Sequence, residues 1–330
     1  MTPTLEDVAK RAKVSTATVS RCLNTPEKVV EATRARVMEA VEALGYSPHF
    51  GARVMAAKRT NTIGAIIPTM ENAIFAEGLQ AFQETLSAAG YDLLLASSSY
   101  DPDQEAAQIR SLVARGADGL LLIGHERTAG IEGFLAQRGL PVIVAWAYDP
   151  GAVLPSVGFD NYAAMQTLAQ EVLAQGHSRI GYITAPVAQN DRTRARLQAI
   201  RDAAAGVEVT VREAPYGIEA GAEAFAALMD TPRPPTVIMC ANDVQAVGAL
   251  TQAREMGLRV PEDVSITGFD DMALSRVVQP ALTTVRVPHN AMGRAAAEML
   301  IGIVERGESP APVCLETRMM RRASLAPPSS

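Results

Sequence analysis

A chain of 330 residues is longer than a single hydrophobic core usually serves, so the sequence predicts two or three domains. The apolar and charged fractions, 48% and 20%, are typical of a soluble globular protein, and no apolar run reaches the length of a membrane span. The N-terminus lacks the basic start and apolar stretch of a secretory signal, so we expect a cytoplasmic protein with no membrane role. Three widely spaced cysteines fit neither a disulfide framework nor a zinc cluster, and we expect neither metal nor cofactor.

The charge is unevenly distributed. Residues 1–60 contain ten Lys and Arg against six Asp and Glu, a net charge of +4, and the remaining residues therefore carry −10 of the total of −6. A basic segment on an acidic body is typical of a protein that contacts phosphates with one end only. Chance asymmetry is the alternative.

The first 47 residues have the pattern of three short helices. Thr4 and Asp7 form a capping box for the first helix, Ser15 can cap the second, and Gly45 is suited to end the third. Apolar residues recur at helical spacing on one face of each helix. These predicted core positions are Leu5, Val8, Ala9, Ala12, Val19, Cys22, Leu23, Val37, Ala40, Val41 and Leu44.

The second helix has an unusual outward face, made of Thr16, Ala17, Ser20 and Arg21. Small side chains let a helix approach the edges of bases in a major groove, and one arginine can make a bidentate contact with guanine. The pattern therefore indicates a helix-turn-helix domain. A generic three-helix bundle with a solvated face would show the same periodicity.

The segments Thr4–Asn24 and Leu44–Pro48 closely resemble the LacI/GalR repressor family. The resemblance implies a sequence-specific repressor that binds palindromic double-stranded operator DNA as a homodimer. It assigns base reading to Thr16, Ala17 and Arg21. It assigns phosphate contacts to Thr18, Ser20 and Asn24.

Residues 48–60 follow as a predicted hinge helix and linker. A helix this short is marginal alone, so we expect it to order only against a partner. The resemblance implies that the partner's hinge and the minor groove supply that surface, with Arg53 and Met55 contacting DNA and Met55 wedged between base pairs. Most relatives have leucine at that position, and an ordinary linker is the alternative.

From Thr62 onward, short apolar runs alternate with helical stretches, a pattern that predicts parallel sheets flanked by helices. About a dozen strands are better divided between two doubly wound lobes than placed in one sheet, with a ligand at the strand ends between them. We place lobe one at about 61–160 and 291–322, and lobe two at about 161–290 with the C-terminal end. The predicted strands are Ile63–Pro68, Leu93–Ala96, Gly119–Ile123, Val142–Ala145, Ile180–Thr184, Val237–Cys240 and Val264–Gly268.

The family resemblance extends into the body through Gly158–Asn161, Gly176–Gly181, Ala241–Asp243, Gly257–Val264 and Gly268–Asp271. It implies a periplasmic-binding-protein-like fold that holds a small polar effector. Gly124–Thr128 and Asn72–Glu77 are most similar to the gluconate-repressor branch, which favours a sugar or sugar acid. The effector contacts implied by the resemblance are Asn72, Phe75, His125, Trp146, Asp160, Asn190, Arg196, Tyr216, Asn242 and Asp270.

Each of these contacts has a simpler interpretation. Asp160 and Asn242 precede helices and can be caps, Arg196 can pair with a surface acid, and His125 can be structural. The aromatic residues can belong to the core.

Two other protein classes share parts of the pattern. A nicotinamide-dependent enzyme would need a Gly-x-Gly-x-x-Gly turn after the first strand, which the sequence lacks. A transport-binding protein would share the body but have no basic head. The C-terminal tail has no heptads, so we expect a dimer, and we expect the effector to release DNA, with corepression as the alternative.

Overall fold

The computed structural model describes residues 3–47, 59–71, 73–188 and 190–329, with the side chain of Asn24 left out. The chain divides into two compact units, residues 1–60 and residues 61–330, which we call the head and the body. Within the described ranges we find no helix whose length and apolar character would let it span a bilayer.

The head contains three α-helices, as predicted. The capping box at Thr4 is present, and the hydroxyl of Ser15 accepts from the amide of Thr18 at 3.1 Å. Gly45 ends the third helix with φ +60°, a conformation that glycine adopts without strain. The helices are α1 (Leu5–Ala12), α2 (Thr16–Asn24) and α3 (Glu31–Leu44), with a 3-10 turn at Pro26–Lys28 between the last two.

The head has its own core. Val8, Val19 and Val37, one from each helix, are completely buried, and Cys22 and Tyr46 pack beside them. The predicted inward faces are confirmed. The opposite face of α2 is thereby left on the surface.

The body contains two parallel sheets with helices on their faces, and the predicted fold class is confirmed. The first sheet has the strand order β11-β5-β4-β3-β1-β2. Its strands are β1 (Thr62–Ile67), β2 (Asp92–Ser97), β3 (Gly119–Ile123), β4 (Val142–Ala145), β5 (Ser156–Gly158) and β11 (Val313–Cys314). The central strands β1, β3 and β4 are buried along their whole length, because helices cover both faces.

The second sheet is also parallel, with the order β7-β6-β8-β9. Its strands are β6 (Arg179–Thr184), β7 (Glu208–Glu213), β8 (Val237–Cys240) and β9 (Ser265–Thr267). The body helices are α4 (Ala73–Ala88), α5 (Pro102–Ala114), α6 (Ile131–Arg138), α7 (Asn161–Ala174), α8 (Asp191–Ala203), α9 (Ile218–Met229), α10 (Asp243–Glu255), α11 (Leu274–Val277) and α12 (His289–Arg306).

The C-terminal part of the chain joins the two lobes. Strand β11 completes the lobe-one sheet, and β12 (Arg318–Met320) then pairs antiparallel with β10 (Thr284–Arg286). The chain goes on to lobe two, where the amide of Ile266 donates to the carbonyl of Ser324 at 2.8 Å. Residues 318–320, which we expected in lobe one, therefore belong to neither large sheet.

Helices α4 and α12 pack closely in lobe one. A Cβ on Gly293 would lie 1.9 Å from the carbonyl oxygen of Gly78, and a Cβ on Gly78 would lie 2.6 Å from the Trp146 ring. Glycine at both positions is therefore what allows the helices and the tryptophan to approach each other.

The seven predicted strands are all present, within one or two residues of their predicted ends. The sequence reading missed β5, β7, β10, β11 and β12. Strand β7 lies at the edge of its sheet and has only two apolar residues, Val209 and Val211, between polar ones, so no apolar run marks it. The others have two or three residues each, too short for a periodic pattern.

Candidate functional site

The outward face of α2 is as the sequence predicts. Thr16, Ala17 and Arg21 are exposed, and Ser20 is half-buried. The guanidinium of Arg21 makes no ion pair with the described part of the head. The face therefore offers one cationic group among small side chains, on a helix anchored from behind by Val19 and Cys22.

Thr18 is half-buried at the start of the same helix. Its hydroxyl lies 2.9 Å from the hydroxyl of Ser15, which also accepts from the Thr18 amide. Helix α2 ends at Asn24, whose side chain is not among the parts of the chain that the structure describes. Arg53, Met55 and Asn72 lie outside the described residues altogether.

The body has a small cavity of about 30 Å³ at the carboxyl ends of the strands, between the lobes, which we call the interlobe cavity. It brings together six of the predicted effector contacts: Phe75, Trp146, Arg196, Tyr216, Asn242 and Asp270. The other lining residues are Ile74, Tyr100, Arg192 and Ala241. Parallel strands place the residues that follow them at one edge of the sheet, which explains this convergence.

Aromatic rings form much of the wall. Phe75 meets Trp146 edge to face at a centroid distance of 5.4 Å, and Tyr100 lies 5.4 Å from Tyr216. Tyr100 belongs to lobe one and Tyr216 to lobe two, so this second pair bridges the lobes. Such rings can cover the apolar face of a ring-shaped ligand.

Arg196 is buried in the cavity wall rather than paired with a surface acid. Its Nε donates to Asn161 Oδ1 at 2.9 Å, and its Nη1 donates to the carbonyl of Ala241 at 2.8 Å. The guanidinium also lies over the Phe269 ring, 3.9 Å from the centroid. These contacts hold the cation in place beside the cavity.

Asp270 lines the cavity and lies beside His289. Asp270 Oδ1 is 3.9 Å from His289 Nε2, and both residues are almost fully buried. Burial raises the pKa of the Asp270 carboxyl well above its usual value, and burial lowers the pKa of His289 to about 4. A neutral imidazole at this distance makes neither an ion pair nor a hydrogen bond with the carboxyl group.

Asn190 and Asn242 are helix caps that also face the cleft. Asn190 accepts from the amide of Thr193 at 3.2 Å, and Asn242 accepts from the amide of Gln245 at 2.8 Å. Asn190 lines a larger, more open cleft of about 550 Å³ that shares Tyr100 and Tyr216 with the interlobe cavity. It therefore lies at the mouth of the cleft rather than inside it.

Two predicted effector contacts are not at the interlobe cavity. Asp160 is exposed and caps α7, accepting from the amide of Ala163 at 2.9 Å. His125 follows β3, and its amide donates to Asp191 Oδ2 at 2.7 Å. Both line a neighbouring depression beside Tyr148 and Asp149, which shares Arg192 with the interlobe cavity. The Asp160 side chain therefore caps α7, and its effector role stays a prediction.

The sequence reading missed Tyr100, Arg192 and His289. Tyr100 follows Ser99, and both have positive φ, so a backbone turn rather than any periodic pattern directs the ring to the cavity. Arg192 lies in the first turn of α8, a helix with several charged residues, so nothing in the sequence distinguished it from its neighbours. No sequence pattern marks His289. Its place beside the cavity follows from the folded chain, in which the indole of Trp146 donates to its Nδ1 at 3.1 Å.

Two family descriptions match this chain. Residues 4–49 match "Bacterial regulatory proteins, lacI family", and residues 169–325 match "Periplasmic binding protein-like domain". The first match covers the head, and the second covers most of lobe two and the crossing to lobe one.

Curated relatives match over nearly the whole chain. The HTH-type transcriptional repressor CytR of Escherichia coli (strain K12) is 37% identical, with 90% of this chain and 89% of the relative covered. The HTH-type transcriptional repressor PurR of Klebsiella pneumoniae (strain 342) is 32% identical, with 98% and 97% covered.

Among solved structures, a LacI-family transcriptional regulator from Silicibacter pomeroyi superposes with a TM-score of 0.89 at 27% identity, covering 98% of this chain and 99% of the other. The architecture is therefore shared from end to end. None of these relatives identifies the effector, and the gluconate branch stays a prediction.

Proposed function

This chain belongs to the LacI family of bacterial regulatory proteins and is a DNA-binding transcriptional repressor, and we propose that a sugar or sugar acid bound in the interlobe cavity controls it. The observation that carries the effector proposal is the convergence of six predicted contacts on one buried cavity. Cavities lined by aromatic rings with a few fixed polar groups are typical of small-ligand sites.

For the head, we propose that α2 enters the major groove of the operator. Thr16, Ala17 and Arg21 read base edges, and Thr18, Ser20 and Asn24 contact phosphates. The exposure of the first three side chains and the free guanidinium of Arg21 support this assignment. Arg53 and Met55 are proposed to act in the minor groove from the hinge.

For the mechanism, we propose a cytoplasmic homodimer on a palindromic operator. Family members bind operators and small effectors as dimers. The cavity lies between lobes, so a ligand that prefers one lobe arrangement shifts the population of that arrangement. A coupling of about 1–3 kcal/mol changes operator affinity several-fold to a hundred-fold. We propose that the effector weakens DNA binding. In corepression, the alternative, the effector would strengthen DNA binding through the same coupling.

A nucleoside is the second candidate effector. Four of the ten cavity residues are aromatic, and a flat heterocycle can stack on such rings. The Asn242 side chain and Asp270 would then contact the edge of the base.

The full-length chain tests the function in two steps. Selection from random duplexes should yield a palindrome that the protein prefers over bulk DNA. A thermal-shift screen with sugars, sugar acids and nucleosides should then find a stabilising compound, which should weaken operator binding in fluorescence anisotropy. Absence of any sequence preference, with and without these compounds, would contradict the repressor assignment.

A further inference from the structure

The interlobe cavity offers many hydrogen-bond donors and few acceptors. Asn242 is 1% exposed, and its Oδ1 is occupied as the cap of α10. Its Nδ2 has no partner among the described residues and belongs to a side chain that lines the cavity. A buried donor without a partner is unfavourable, so we expect this amide to donate to an acceptor on a ligand or a water molecule.

His289 adds a second donor next to the cavity. Trp146 Nε1 can only donate, so the Nδ1 that receives it must be unprotonated. The neutral ring therefore carries its hydrogen on Nε2, which is buried and has no partner in the described parts of the chain. The tautomer of His289 is thus set by the tryptophan.

Two arginines add further donors and positive charge. Arg192 pairs with the adjacent Asp191, with Nη1 and Oδ1 3.0 Å apart. Arg196 is 9% exposed and donates only to an amide and a carbonyl oxygen, without a carboxylate partner within hydrogen-bond reach in the described ranges. Buried cations are stable only when their charge is compensated.

Among the described residues, Asp270 is the one carboxyl group that lines the cavity. Its φ is +109°, it is 3% exposed, and its Oδ2 has no donor among the described residues. The ionisable groups that act on it come from several elements: Arg196 on α8, Asp243 on α10, Glu77 on α4, His289 on α12 and Tyr100 before α5. A buried carboxyl group that accepts no hydrogen bond is more stable in its neutral form, as its raised pKa also indicates.

We propose that the effector is a small carboxylate, bound as an anion, and that Asp270 carries a proton in the complex and donates it in a hydrogen bond. The anion compensates the charge of Arg196 and accepts from the Asn242 amide. The proton stays on Asp270, so no bond other than hydrogen bonds is made or broken. This inference rests on the proposed effector role of the cavity and narrows the ligand from polar compounds in general to anions.

Pairs of acids and neutral counterparts test the ligand class on the full-length protein. D-gluconate is compared with sorbitol, and D-glucuronate with D-glucose, by thermal shift and then by calorimetry. At least one acid should bind at least about tenfold more tightly than its neutral counterpart, the equivalent of one lost charge-assisted hydrogen bond. A neutral member that binds equally well, or no stabilisation by either acid, overturns the proposal.

Asp270→Asn tests the protonation state. Asparagine mimics the neutral acid, so the variant should bind the acid within about threefold of the wild type. A carboxylate acting as an ionised acceptor would lose about tenfold or more in the same variant. Asp202→Asn, an exposed position on α8, is the matched control for the substitution itself.

The pH profile gives a second readout. The wild-type affinity should be constant or fall, by at most tenfold per pH unit, as pH rises above neutrality, because each complex must retain one proton. The Asp270→Asn profile should be flat. An affinity that rises with pH overturns the proposal. If neutral compounds bind and release the operator, the repressor assignment stands and only this inference fails.

Discussion

Helix α2 in the head and the interlobe cavity in the body both bring polar groups together, but they are built in opposite ways. The α2 face comes from nine consecutive residues whose exposed positions are set by helical periodicity. The cavity is assembled from residues between Ile74 and Asp270, carried by separate strand ends and helix starts. One surface is local and exposed, and the other is distant in sequence and buried.

This difference determines how each site tolerates change. An exposed face on a small, separately packed core can lose a side chain without loss of the fold. A buried cavity shares its residues with the packing of two lobes, so a change there alters stability as well as binding. The predictions below test this separation, from the largest expected effect to the smallest.

Gly293→Ala should destabilise the body and leave the head folded. The added methyl group would overlap the backbone of Gly78, so α4 and α12 must separate, at a loss of about 3 kcal/mol or more in the free energy of unfolding. Hydrogen exchange measured separately over residues 4–47 and the body reports both units. Gly133→Ala, at an exposed helix position with open space, is the control and should be neutral or slightly stabilising. Equal loss of protection in the head would refute the independence of the two units.

The buried imidazole of His289 should make the body sensitive to acid. Its pKa is about 4 in the folded protein and near 6.5 when unfolded, so only the unfolded chain takes up a proton between these values. The contribution of His289 to the free energy of unfolding is therefore fully present above pH 6.5. It is lost as the pH falls towards 4, by up to about 3 kcal/mol.

Chemical denaturation of wild type and His289→Asn at several pH values measures this effect. The raised pKa values of Asp243 and Asp270 act in the opposite direction in both proteins, so the effect of His289 is taken from the difference between the two curves, which includes its interaction with Asp270. Parallel curves across this pH window would show that His289 does not titrate as expected.

Arg21→Ala should weaken operator binding by about 1–3 kcal/mol and relax base preference at one position, with little effect on the unfolding of either unit. Fluorescence anisotropy on the selected operator and on random duplexes measures the two affinities. Arg34→Ala removes the same charge from an exposed position on α3 and is the control. Equal losses on both kinds of DNA for the Arg21 variant would argue against base reading.

Ser15→Ala should reduce the stability of the head by about 1 kcal/mol, because the hydroxyl caps α2 through the Thr18 amide. Ser15→Asp should restore most of this loss, since a carboxylate caps equally well. Thermal unfolding of the full chain followed at the head reports the change. A cap variant as stable as the wild type would indicate that packing alone holds α2.

The head could be predicted almost completely from the sequence. Its caps, its buried positions and its exposed face all follow from residues close together in the chain, for which helix periodicity and capping are sufficient. Arg21 could be assigned an outward position without knowledge of any distant residue. The hinge, with Arg53 and Met55, stays a prediction.

The body could be predicted as a class and only partly as a site. Buried strands such as β3 and β4 were visible as apolar runs, whereas the edge strand β7 alternates in polarity and was missed. Asp160 caps α7 and does not line the interlobe cavity, but a cap and a ligand contact look identical in sequence, so its effector role stays a prediction. Tyr100 was missed because a left-handed backbone turn directs its ring to the cavity. His289 was missed because its tautomer is set by Trp146, which is distant in sequence and contacts it only in the folded chain.

The late segment that adds Val313 and Cys314 to one sheet and bonds Ser324 to Ile266 of the other has a consequence for synthesis. A nascent chain can complete residues 4–47 early, while both lobes still lack a piece until residues 313–324 leave the ribosome. A product truncated before residue 313 would keep the three head helices and lose part of both lobes. Such a fragment would have a complete head and an incomplete body.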